Sequence, residues 1–121
     1  MKIKPILLIV GLLTAVSTHV LAGHDDDQRV IAAAANNVIT VAQAAKARDE
    51  TAVTIVGTIV RQLKHEHYEL KDQSGTIVVE IDDDIAGPAQ LKPGSKVRVI
   101  GEVDTHRYRA TDIDVVRVEF L

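Results

Sequence analysis

His65, His67 and His106 are three of the five histidines in this chain of 121 residues, and each stands among cations and tyrosine. The first two belong to the stretch Arg61–Tyr68 (RQLKHEHY), with Arg61, Lys64 and Tyr68 beside them. The third belongs to Asp104–Ala110 (DTHRYRA), with Arg107, Tyr108 and Arg109. Guanidinium, ammonium and imidazole groups gathered in this way suit the capture of an anion, and imidazoles add charge below about pH 6.5. Glu66, Glu69 and Asp104 dilute that patch, and an ordinary solvated loop rim is the competing interpretation.

The same histidines also suggest metal. Residues two apart in an extended segment share a face, so His65 and His67 are expected to point the same way, with His106 as a third nitrogen donor. Zinc and copper accept such ligands. His24 is a separate candidate. Cleavage of the chain after Ala22 would leave Gly23-His24 at the terminus, where amine, amide and imidazole can chelate copper. Neither arrangement has the spacing of a defined metal motif, so no cofactor is assigned. The run Glu80–Asp84 (EIDDD) does not read as a calcium loop, because calcium needs six to eight oxygens wrapped around it. No nucleophile–base pair stands out either. The chain has no cysteine, and Ser74 and Ser95 sit in glycine turns where backbone geometry is their role. A non-enzyme is expected.

The chain opens with Lys2 and Lys4, an apolar run Ile6–Val16, and small residues Val20 and Ala22 at the −3 and −1 positions of a cleavage site. This is the layout of an export signal covering 1–22, and the apolar run is shorter than the roughly 20 residues a bilayer span requires. Removing it leaves 12 Lys+Arg against 17 Asp+Glu, a formal charge of −5. Such a chain is repelled by polyphosphate. With two tyrosines, one phenylalanine and no tryptophan, it also lacks the stacking platforms that single-stranded nucleic acid uses. Nucleic acid is therefore not an expected partner. The expectation is a periplasmic monomer with no stable membrane insertion once the signal is cut.

The candidate loops must be held by the elements around them. Residues 23–39 read as a flexible segment with at most a helical turn through Arg29–Asn36. Thr40 then opens a short helix, since Thr40-Val41-Ala42-Gln43 fits the capping box. From Ala52 the apolar period becomes two: Val53, Ile55 and Ile59, then Tyr68 and Leu70, then Ile77, Val79 and Ile81, then Val97, Val99 and Val103. A hairpin turn at Lys71–Thr76 places Gly75 where positive φ is wanted. The fifth strand, from Thr111, changes face midway, which suggests a bulge near Val115. Two strands share a pattern, VTIVGTIV (Val53–Val60) and VRVIGEVD (Val97–Asp104), each with a glycine inside. In a small closed barrel the first strand pairs with two partners and bends between them, and Gly57 and Gly101 omit the side chain that would oppose the coiling. Five strands with no long crossover helix give an all-β OB-fold, a Greek-key barrel, preceded by one short α-helix and occupying residues 40–121. The loops after strands one and four then meet at its binding face.

Three segments carry a family resemblance: TVAQAAKARDETAVTIVGTIV, YELKDQSGTIVVEIDDD, and VRVIGEVD followed by TDIDVVRV. Together they resemble the bacterial OB-fold (BOF) family, the YgiW/YdeI group of small exported stress proteins, over about Thr40 to Val118. The resemblance implies a periplasmic OB-fold with a leading helix, acting in envelope stress tolerance by binding rather than by catalysis. Members place tryptophans after the helix, after strand three and before the last strand. Those places read Ala52, Ile85-Ala86-Gly87 and Tyr108 here, so only Tyr108 offers a ring. The functional expectation is capture of an anionic or glycan-like ligand by Arg61, Lys64, His65, His67, Tyr68, His106, Arg107, Tyr108 and Arg109. The alternatives are a protein-interaction module acting on an envelope partner and weak copper or zinc binding.

Overall fold

The computed structural model describes residues 25–121; the expected signal peptide 1–22 and the Gly23-His24 copper candidate lie outside them. Alternation of apolar and polar residues produces five strands: β1 (Ala52–Lys64), β2 (His67–Asp72), β3 (Gly75–Glu80), β4 (Lys96–Asp104) and β5 (Asp112–Phe120). They close into a barrel in the order β1-β2-β3-β5-β4. The β3–β5 pairing is parallel, and the others are antiparallel. This is the OB-fold Greek key expected from the sequence.

β1 is the strand that serves two partners. Its first half pairs with β4, from Ala52 opposite Glu102 to Thr58 opposite Lys96. Its second half pairs with β2, from Thr58 opposite Lys71 to Lys64 opposite His67. Gly57 sits at the changeover, where an added Cβ would lie 2.6 Å from the Lys71 carbonyl oxygen and 3.0 Å from Leu70 Cγ. At Gly101 a Cβ would overlap the Asp114 carbonyl and come within 2.9 Å of Val115 Cα. The register of β4 and β5 slips at that point, from Ile100 opposite Arg117 to Gly101 opposite Val115. Val116 is thus the extra residue of a bulge, which explains the change of face in β5.

Inside the barrel, Val53, Ile55, Ile59, Tyr68, Leu70, Val79, Val97, Val99, Val103 and Ile113 are buried. Residues 82–95 hold turns rather than strand and add the buried Ala86 and Leu91 to the core. Among the described residues two helices precede the barrel: α1 (Asp25–Ala34) and α2 (Val41–Ala45). α2 has the predicted capping box, with the Gln43 amide donating to Thr40 Oγ1 at 3.1 Å and the Thr40 amide donating to Gln43 Oε1 at 2.9 Å. It buries Val41 and Ala44.

The expectation of a flexible segment over 23–39 is corrected from Asp25 onward. The alanine-rich run has high helix propensity, and Asp26 and Asp27 lie in its first turn, where carboxylates complement the helix dipole. Val30 and Ala34 form a short buried stripe. The chain leaving α1 is then tied to β1: the Thr54 hydroxyl donates to the Ala34 carbonyl at 2.8 Å, the Thr54 amide to the Asn37 carbonyl at 3.0 Å, and the Ile39 amide to the Thr54 carbonyl at 3.0 Å. Among the described residues no helix is long and apolar enough to cross a membrane.

Candidate functional site

The arm that carries the first cationic stretch is strand, not loop. β1 runs on through Lys64, and two register shifts, between Ile59 and Arg61 and between Gln62 and Lys64, twist it against β2. Only His65 and Glu66 form the turn, with Glu66 at φ 65°. Across from it stands the β4–β5 loop, Thr105–Thr111, anchored where the Thr105 amide donates to Asp49 Oδ1 at 2.9 Å. A groove of about 240 Å³ lies between them. Leu63, Val78 and Ala110 form its apolar floor, while Lys64, His67, Arg109 and Asp112 supply its polar groups. It continues as a second depression that shares those three apolar residues and adds Arg61 and Glu69.

The structure sorts the expected ligand residues. Lys64, His67 and Arg109 converge on the groove, as does Arg61 on its continuation. Arg61 is already engaged, donating from Nε to Glu69 Oε1 at 2.9 Å. Lys64 and Arg109 have no ion-pair partner among the described residues. Arg107 and Tyr108 do not line the groove and stack loosely on each other, the guanidinium carbon 6.0 Å from the ring centroid.

Tyr68 is a correction. It is fully buried, because strand alternation at the start of β2 turns it into the core while His67 and Glu69 face out. Its hydroxyl has no hydrogen-bond partner among the described residues. Burial raises its pKa, helped by the nearby carboxylates of Asp83 and Glu66.

The expectation that His65 and His67 share a face also fails, since the turn between them is not extended. His65 Nε2 lies 2.6 Å from Asp83 Oδ2, which, with Asp83 and Glu66 charge, raises the His65 pKa. His67 instead donates from Nδ1 to the His65 carbonyl at 3.0 Å. His106 turns inward, its Nε2 3.1 Å from Oδ1 of the buried Asp112 and 3.6 Å from Asp104 Oδ2.

Sequence reasoning missed Asp112, Glu80 and the apolar floor. They lie far apart in the chain, and only strand register assembles them. One signal was available: Val78 and Glu80 occupy the outward positions of a strand whose inward positions are Ile77 and Val79. A neighbouring carboxylate, Asp114, is held above its ordinary pKa, by burial first and then by Glu80, Asp104, Glu102 and Asp112.

A closed five-stranded Greek key with a groove between the β1–β2 hairpin and the β4–β5 loop defines an OB-fold protein. Residues 22–120 match the family described as Bacterial OB fold (BOF) protein, and the chain belongs to it. It is 33% identical over 121 residues to the Calcium-regulated OB-fold protein CarO of Pseudomonas aeruginosa, covering 98% of each chain. To Protein YgiW of Escherichia coli K12 it is 38% identical over 82 residues, 68% of this chain and 62% of that one. The solved structure of the hypothetical protein ygiW from E. coli superposes with a TM-score of 0.64 at 36% identity, covering 70% of this chain and 90% of that one. The telomere capping protein Ten1 of Saccharomyces pombe, at 15% identity and a TM-score of 0.54, shares the fold alone.

Proposed function

We propose that this protein is an exported, non-catalytic binding module of the bacterial envelope. In this reading it holds an anionic, glycan-like ligand in the groove between the β1–β2 hairpin and the β4–β5 loop. One observation carries the proposal: Lys64 and Arg109, on opposite walls, line a single groove whose floor is apolar. An apolar floor suits the face of a sugar ring, and cations on both sides suit carboxylates or sulfates around it. Export is supported by the charged, apolar and small-residue order of residues 1–22. The role in envelope stress tolerance rests on the family resemblance.

The test is a titration of the protein with uronic-acid oligosaccharides and with their uncharged counterparts, followed by amide NMR. The acidic series should shift residues 61–67 and 105–112, and Lys64→Glu together with Arg109→Glu should weaken it at least about tenfold, as expected when two charge-assisted contacts are reversed. Equal binding by the charge-reversed protein would remove the anionic reading. The start of the secreted chain, read by N-terminal sequencing, should be Gly23.

A further inference from the structure

Beside the groove, two groups of potential ligands meet at one carboxylate. Asp104, His106 and Asp112 place their donor atoms within 4.8 Å of one another, and so do His67, Glu80 and Asp112. Asp112 is common to both. Its side chain is 5% exposed, that of His106 17%. Strand register makes this convergence: Asp104 lies opposite Asp112 across β4–β5, and His67 lies opposite Glu80 across β2–β3.

Three observations point to a cation here. The first is spacing. Donors about 2.0–2.2 Å from a zinc ion lie roughly 3.3–3.5 Å apart at tetrahedral angles. His106 Nε2 stands 3.1 Å from Asp112 Oδ1 and 3.6 Å from Asp104 Oδ2, so these two pairs are within a few tenths of an ångström of those separations, while His67 and Glu80, which group with Asp112 in a separate triad, must swing inward to share the ion. The second is the hydrogen bond from His67 Nδ1 to the His65 carbonyl. It leaves Nε2 as the free donor atom, and a backbone carbonyl on the far nitrogen is the usual way a metal-binding imidazole is oriented. The third is carboxylate charge that no lysine or arginine offsets. Asp104 faces Asp112, Glu102 faces Asp114, and Glu80 also faces Asp114. Like charges directly opposite on paired strands destabilise a sheet, and among the described residues no lysine or arginine forms an ion pair with any of the five.

We propose that Asp104, His106 and Asp112 bind a divalent transition-metal ion of the zinc type, with His67 and Glu80 completing its coordination from the groove side. Two imidazoles among the donors favour such an ion over calcium or magnesium, which take oxygen ligands. The third histidine cluster, His65 with Glu66 and Asp83, has an imidazole whose side chain is 75% exposed and serves as the internal control. The proposal stands apart from the anionic-ligand reading, although a bound cation would reverse the charge that Asp112 presents to the groove.

The experiment uses untagged, metal-stripped protein and Zn²⁺ alone, with calorimetry and imidazole ¹H–¹⁵N NMR. Binding of one ion per chain is expected, with large shifts of His67 and His106 and little at His65. His106→Gln and His67→Gln should each weaken binding by roughly tenfold or more, and the double variant should lose it. His65→Gln should bind as the parent does. Zn²⁺ should raise the Tm of the parent and not that of the double variant, whose fold is checked by its amide spectrum. No Zn²⁺ binding, unchanged binding by the double variant, loss of binding in His65→Gln, or equal imidazole shifts with Ca²⁺ would each overturn the site. The oligosaccharide titration, run without metal, is scored separately.

Discussion

The carboxylate of Asp72 reaches Val41 across the fold: Oδ2 accepts the Val41 amide at 3.0 Å, while Oδ1 accepts the amide and hydroxyl of Ser74 at 2.7 and 2.6 Å. One side chain thus pins the start of α2 to the β2–β3 hairpin.

Burial alone would raise the Asp72 pKa, but the hydrogen bonds from Ser74, Val41 and Gly75 outweigh it and hold the group below its ordinary value. A depressed folded-state pKa contributes stability that is present above the unfolded value near pH 4 and is lost as pH falls through the folded one. Asp72→Ala should cost about 1–2 kcal/mol at pH 7. The difference from the parent should shrink below pH 4, as read by urea denaturation at both pH values.

Gly101→Ala should destabilise more than Gly57→Ala. At Gly101 the new methyl meets backbone of Asp114 and Val115, which cannot rotate away. At Gly57 part of the conflict is with the Leu70 side chain. A cost of about 3 kcal/mol is expected at Gly101, the upper range for overpacking. Equal Tm values for the two variants would contradict the ordering.

Tyr68→Phe removes a buried hydroxyl that has no hydrogen-bond partner among the described residues. Leaving such a group unsatisfied costs about 1–3 kcal/mol, so the variant should be at least as stable as the parent, with ligand binding in the groove unchanged. A fall in Tm would show that the hydroxyl is satisfied in solution.

His65 should titrate above its ordinary value because of Asp83, and Asp83→Asn should bring it back toward 6.5. The sign follows from a raised folded-state pKa: the interaction contributes below the unfolded pKa and is lost as pH rises through the folded one. Imidazole carbon shifts against pH measure it directly.

Arg107→Glu and Arg109→Glu both alter an exposed loop, so either should change stability by less than about 1 kcal/mol. Binding of the acidic oligosaccharide should separate them, falling for Arg109→Glu and holding for Arg107→Glu, because only Arg109 lines the groove.

The barrel was legible because its strands alternate cleanly, and because Gly57 and Gly101 interrupt good strands for a reason that closure supplies. The face change after Val115 announced the bulge, and Thr40 with Gln43 announced α2. What stayed hidden depends on register or on weak local signals. Val30 and Ala34 are four apart, the spacing of a helical stripe, but two residues in a polar run do not reveal a docked helix. The turn at His65-Glu66 contains no glycine or proline, so Arg61–Lys64 read as loop rather than strand. Tyr68 was read in phase with Leu70 and still counted among the ligand residues, although that phase turns it into the core. Asp112, Glu80 and Asp104 gather only because β5 pairs with β3 on one side and β4 on the other, and no local pattern records which residue of one strand faces which residue of another.

The parallel contact of β3 with β5 spans only three paired positions, Val78–Glu80 against Asp112–Asp114. It is the shortest weld in the cylinder wall, and Val78 and Asp112, which form one end of it, also line the groove. An occupant there bridges the weld from both sides. Opening of the wall and release of the occupant are therefore thermodynamically linked, and amide exchange in that stretch should slow on binding even where no amide touches the guest.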